Sequence, residues 1–173
     1  TLGNHDLHLL AADHNHPEGN CRNREFAQIL NAPDREILID WLVKHPLVSY
    51  SKKHRLLRVH AGVVPQWDAK TAVARGKEVS KILRSDKRGK FLERMYGNTP
   101  RKWRDDRRGW NRLRLITNIL TGIRFCDANG KALFRLSGPP GTQPAPYLPW
   151  FKHPNRQTRD VTVAFGHWAA LGL

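Results

Sequence analysis

Apolar positions along the chain alternate between the spacing of helices and that of strands. Ile37, Leu38, Trp41 and Leu42 fall at i, i+1, i+4 and i+5 after Asn31-Ala32-Pro33-Asp34, a segment suited to starting a helix. That spacing predicts one buried helical face. Leu47–Tyr50 and Leu56–His60 read as short strands around the polar turn Ser51-Lys52-Lys53. Residues 69–85 read as a helix with Ala72, Val73, Val79, Ile82 and Leu83 along one side. A second helical piece spans about 90–96. A third covers about 110–121, where Leu113, Ile116, Leu120 and Ile123 keep intervals of three and four.

Beyond residue 121 the pattern shifts to strands and turns. Asn129-Gly130 sits between Arg124-Phe125-Cys126 and Ala132–Leu136, a hairpin signal. Six of the eleven prolines fall between Pro139 and Pro154, which predicts an extended connector over about 137–159. Val161–Phe165 reads as a last strand leading into Gly166-His167-Trp168. The chain is α/β (α+β), and one domain over 1–173 with a helical insert at about 69–121 is expected.

Composition narrows the partners. With 39% hydrophobic residues in 173, the chain has enough apolar surface for a core. Thirty Lys and Arg against 15 Asp and Glu give a net charge of +15, which favours nucleotides, nucleic acid or another acidic partner. Cys21 and Cys126 form no disulfide framework, so a reducing cytoplasm is expected. No apolar stretch approaches the ~18 residues needed to cross a membrane.

Three histidines share a local setting. Gly3-Asn4-His5, His60-Ala61-Gly62 and Gly166-His167-Trp168 each place glycine close to an imidazole near a predicted strand end, where α/β sheets gather their sites. Glycine permits a tight turn and close approach of a ligand. Imidazole nitrogen and amide or carboxylate oxygen suit manganese, cobalt, iron or zinc. Any one of these residues could equally be a hydrogen-bonded structural histidine, and spacing alone leaves metal and reaction open. His14-Asn15-His16 lacks a cysteine pair or carboxylate at structural-zinc spacing and reads as loop.

The motif wording is more specific. Leu2-Gly3-Asn4-His5-Asp6-Leu7-His8 resembles the third signature of the phosphoprotein-phosphatase-like metallophosphoesterases. Val59-His60-Ala61-Gly62-Val63-Val64-Pro65-Gln66-Trp67 resembles their fourth, in the form typical of symmetrical diadenosine tetraphosphatases. Phe165-Gly166-His167-Trp168-Ala169-Ala170-Leu171 is similar to the final histidine motif of that subfamily. Met95–Pro100 and Arg112–Asn118 follow its pattern as well. The resemblance covers essentially the whole chain, in order.

This resemblance implies a calcineurin-like four-layer αββα sandwich, incomplete here at both ends. The family's upstream Asp-x-His-Gly and Gly-Asp signatures match nothing in the chain, nor does its segment after Gly-His-Trp. A central fragment without significant turnover of its own is therefore expected. The resemblance further implies a bacterial, cytoplasmic enzyme that uses two divalent transition metals, Mn2+ or Co2+, to cut diadenosine tetraphosphate into two ADP. Asn4, His60 and His167 would hold the second metal, His5 would be the general acid and Asp6 would support the loop behind them. An imidazole, with an ordinary pKa of ~6.5, suits that acid role. Dinucleoside polyphosphates, and tetraphosphate ends on RNA, would be the substrates.

Substrate-binding candidates are Arg112, Arg124 and Trp168. Arg101–Arg114 carries seven basic residues against Asp105 and Asp106, with Trp103 and Trp110 interleaved. Each arginine could grip phosphate bidentately or simply line a solvated helix. Gly122 departs from the subfamily pattern, which carries a basic residue there. Two other functions stay open: another phosphoesterase of the superfamily, such as a protein serine/threonine phosphatase, and a non-catalytic basic module that binds nucleic acid.

Overall fold

The computed structural model describes residues 1–16 and 25–172. Cys21 lies outside them. Helix α1 spans Asn4–Asn15, α2 Ala27–Leu30 and α3 Arg35–Val43. Strands β1 (Val48–Ser51) and β2 (Leu56–Val59) form an antiparallel hairpin pairing Val48 with Val59. Helices α4 (Ala69–Leu83), α5 (Arg88–Arg94) and α6 (Gly109–Gly122) follow. Then come β3 (Phe125–Cys126), β4 (Leu148–Pro149) and β5 (Thr162–Ala164), with 3-10 turns at 150–152 and 169–171.

Two small sheets result, so the chain is mixed α and β. The first has the order β1-β2-β5, with β5 parallel to β2 and Leu57 opposite Val163. A parallel neighbour needs a long crossover, and everything between residues 60 and 161 provides it. The second sheet pairs β3 with β4.

The core forms where α6 meets α4 and where α4 packs on β1. Leu115, Ile116, Ile119 and Leu120 of α6 are fully buried, as are Val79 and Leu83 of α4 and Leu57 of β2. Gly76 lets α4 lie close on β1, since a methyl there would meet Val48 Cγ1. Asp68 caps α4 by accepting from Thr71 N–H at 2.6 Å. The α4 and α6 positions expected to face inward do so, apart from the half-buried Val73 and Ile82.

Two expectations need correction. On α3 the buried residues are Ile39 and Val43, whereas Ile37 and Trp41 are 72% and 59% exposed. Apolar residues occur on both sides of that helix, so periodicity could not choose the face; packing against α1 and α2 chose it. The turn at Asn129-Gly130 forms, with Gly130 at φ 70° and its N–H donating to Asp127 O. Its second strand does not extend to Leu136, because Ala132–Leu136 lacks clean alternation and β4 takes the ladder on Phe125 and Cys126. The proline-rich segment is tied to the core. Trp150 is buried, and His153 Nε2 lies 2.7 Å from Cys126 O. Cys126 itself is buried, and burial, with Asp127 adding to it, pushes its thiol up to about 12. No helix among the described residues is long and apolar enough to cross a membrane.

Candidate metal centre

The site is assembled from three turns. The first precedes α1: Leu2 N–H donates to Pro46 O at 2.9 Å, and Gly3 N–H donates to Asp6 Oδ2 at 2.6 Å. These bonds fix Asn4 as the first helical residue, and the Asp6 charge lies favourably at the helix N-terminus. The second turn follows β2 and carries His60. Ala61 N–H, donating to Leu120 O, ties it to α6. The third follows β5, where Gly166 N–H donates to His60 O and draws the ends of two parallel strands together.

Asn4 Oδ1, His60 Nε2 and His167 Nδ1 converge. His60 Nε2 lies 2.9 Å from Asn4 Oδ1 and 3.3 Å from His167 Nδ1. Two ligand atoms each about 2.1 Å from a shared metal lie about 3.0 Å apart at a right angle and about 3.4 Å apart at a tetrahedral angle. The observed spacings match that edge length, and nitrogen with amide oxygen suits a borderline divalent ion. Among the described residues no three His, Cys, Asp or Glu side chains group as a metal set. The cluster mixes two imidazoles with an amide and so meets no such pattern.

Its surroundings favour the neutral form of both rings. Burial lowers the pKa of His60, with Asp6 opposing and His5 reinforcing. Burial also lowers that of His167, to about 4, helped by the charge of Arg124 and by His60. Neutral imidazoles present the lone pairs a cation requires. Two features hold the rings there. His167 takes φ 62°, a left-handed conformation uncommon outside glycine. Gly3 lies against the His60 ring so closely that a methyl group would overlap it.

His5, expected beside these residues as an acid, occupies the first turn of α1, exposed to solvent and near enough to act electrostatically on both His60 and His167. Its Nδ1 lies 2.7 Å from Glu25 Oε1, a partner no sequence motif indicated. Arg124 does reach the site. With Asn4, Asn98, Asn118, Thr121, Gly122, Phe134 and His167 it lines a cleft of about 190 Å3. Its Nε is buried without a partner among the described residues, and burial lowers the pKa of its guanidinium.

No family model matches the chain. It is 46% identical over 172 residues to a protein of Aromatoleum aromaticum named symmetrical bis(5'-nucleosyl)-tetraphosphatase. Proteins of the same name from Bordetella pertussis and Delftia acidovorans are 48% and 49% identical. Each alignment covers 99% of this chain and 61–62% of the relative, so the chain spans about three fifths of their length. Over nearly its whole length the chain is similar to proteins that carry this tetraphosphatase name.

Two residues expected to touch substrate lie elsewhere. Arg112 Nε and Nη2 donate to Glu78 at 2.6 and 2.9 Å, and its guanidinium lies 4.6 Å from the Trp103 ring centre. It crosslinks α6 to α4. Trp168 is 4% exposed, sits edge-on to Phe125 with centroids 4.7 Å apart, and donates Nε1–H to Gly138 O. It supports the His167 turn from the core and offers no open face. Gly122 faces open space in the cleft, so the missing cation leaves room. His14 and Asn15 end α1 instead of forming a loop, and His14 Nε2 lies 3.2 Å from Glu93.

Proposed function

We propose that Asn4, His60 and His167 form one half of a dinuclear metal site in a calcineurin-like sandwich, and that the whole protein hydrolyses diadenosine tetraphosphate to two ADP. The observation that carries this reading is the convergence of Asn4 Oδ1, His60 Nε2 and His167 Nδ1 at ligand spacing, in a chain whose relatives bear the tetraphosphatase name. Mn2+ or Co2+ bound there would supply Lewis-acid polarisation of a phosphoryl oxygen and a water of lowered pKa.

The chain's own groups supply the rest. Asp6 holds the Gly3 turn and thereby the Asn4 carboxamide. Arg124, with its buried Nε unpartnered, grips a phosphate oxygen in the adjoining cleft. His5 carries a proton toward the leaving phosphate oxygen from its open ring edge, while Glu25 holds the other ring nitrogen. We read the location as the bacterial cytoplasm and the substrates as dinucleoside polyphosphates, with RNA tetraphosphate ends as a second class.

The alternatives fare less well. In the segment 101–114, Arg104 pairs with Asp106, Arg107 and Arg108 donate to backbone carbonyls, and Arg114 donates to Arg94 O and Thr99 O. Those contacts orient the guanidiniums along the protein's own surface, and none of the relatives' names points to a nucleic-acid-binding module. A protein phosphatase finds no support in the names of the relatives.

Manganese titration followed by electron paramagnetic resonance tests the site. His60→Ala or His167→Ala should weaken Mn2+ binding at least tenfold, and unchanged binding would remove the metal assignment. Product analysis tests the reaction: ADP alone from diadenosine tetraphosphate supports it, and AMP with ATP contradicts it. For these 173 residues by themselves we expect metal binding without turnover, because Asn4, His60 and His167 would supply one half of a dinuclear site.

A further inference from the structure

A second cleft of about 200 Å3 adjoins the first and shares Asn4, Asn98, Asn118 and Thr121 with it. The two are lobes of one groove with opposite character. The lobe at the donor cluster holds His167 and Arg124. The other holds Leu7, His8, Met95, Tyr96 and Thr117 and contains no arginine or lysine. A cationic end followed by an aromatic, amide-lined end is the polarity of a nucleotide. We propose that the second lobe is a nucleobase pocket, in which the Tyr96 ring stacks on the base and the Asn98 and Asn118 carboxamides read its edge.

The placement follows from helix geometry. Asn4 and His8 lie four residues apart on one face of α1, about 6 Å along the axis, so the lobe begins one turn beyond the donor cluster. Asn118 and Thr121 form the matching face of α6. The wall between them is Met95–Asn98, where Gly97 at φ 112° turns the chain and Asn118 Nδ2 donates to Gly97 O at 2.8 Å. That bond orients the Asn118 carboxamide and leaves its Oδ1 and second N–H for a ligand. Thr117 and Thr121 donate their hydroxyls to α6 carbonyls, which leaves oxygen acceptors only.

Tyr96 is an unusual surface residue. It is 47% exposed, and His8 meets it edge-on at 5.2 Å between ring centres. An edge contact braces a ring while leaving a π-face open. Stacking needs such a face and tolerates any base, whereas the two amides supply donors and acceptors for discrimination.

This pocket rests on the phosphate-binding reading of the first lobe, so the test separates the two. Manganese-loaded protein is titrated calorimetrically with ADP and with inorganic pyrophosphate. ADP should bind more tightly than pyrophosphate. Tyr96→Ala should weaken ADP roughly tenfold and leave pyrophosphate unchanged, while Tyr96→Phe stays near the parent protein. Thermal melts of both variants check that the fold is intact. An unchanged ADP affinity in Tyr96→Ala, or an equal loss for both ligands, overturns the pocket. Equal binding of ADP and pyrophosphate to the parent protein also overturns it and leaves the metal site standing. Failure to bind either ligand overturns both readings.

Discussion

Gly3 shows how much a single position decides. Its backbone N–H anchors Asp6, and its missing side chain makes room for the His60 ring. Gly3→Ala should push that ring from the donor cluster without touching a donor atom. We expect a tenfold or greater loss of Mn2+ affinity, the scale seen when support behind a metal ligand is removed, measured by calorimetric titration. Loss of the fold itself would instead show in circular dichroism. The sequence made Asn4, His60 and His167 legible because their neighbours carry specific wording. It gave no sign of Glu25, because a single carboxylate next to no motif becomes a partner for His5 only through folding.

At the scale of elements, the α4–α6 contact joins the hydrophobic core to a charged crosslink. Burial raises the pKa of Glu78, but hydrogen bonds from Arg112 and Arg75 outweigh it and hold the carboxyl below its ordinary value of 4.5. A lowered carboxylate pKa stabilises the fold above the unfolded value, and that contribution is lost as pH falls through the lower, folded value. Urea midpoints should therefore drop below about pH 4.5, and Glu78→Gln should flatten that fall. Arg112→Ala should cost about 2 kcal/mol of stability and leave Mn2+ binding intact. An Arg112 that instead contacts substrate would lose ligand affinity with little change in stability. The elements α4 and α6 could be read from the sequence because each has one strongly apolar face. The inward face of α3 could not, since Ile37, Ile39, Trp41 and Val43 offer competing faces and only the neighbours decide.

For the molecule as a whole, the donors sit 56 and 107 residues apart. An ion held by all three binds the folded chain and not the unfolded one, so it should stabilise the fold by mass action. At a Mn2+ concentration one hundred times its dissociation constant the gain is about 2.7 kcal/mol, or roughly 5–10 °C in melting temperature. His167→Ala should abolish the shift in differential scanning fluorimetry. An equal shift in that variant would place the ion elsewhere.

The residues that carry the family resemblance, with strands β1 and β2 and helices α4 and α6, were legible in the chain's own pattern, because motifs and periodicity are local properties; helix α1, at a motif expected near a strand end, and strand β4, inside the proline-rich segment, were not. Which of the basic and aromatic residues face the groove was decided only in three dimensions. Arg112 and Arg124 are equally plausible in a list. One finds Glu78 across a helix interface, and the other is carried to His167 with an unsatisfied nitrogen. Trp168 follows a predicted ligand directly, yet it packs into Phe125, while Tyr96, seventy-one residues before His167, lines the cleft that adjoins it. Proximity in sequence constrains the backbone. Proximity in the site comes from the parallel pairing of β2 with β5 and from the packing of α1 near α6, which bring distant segments together through contacts that no local pattern records.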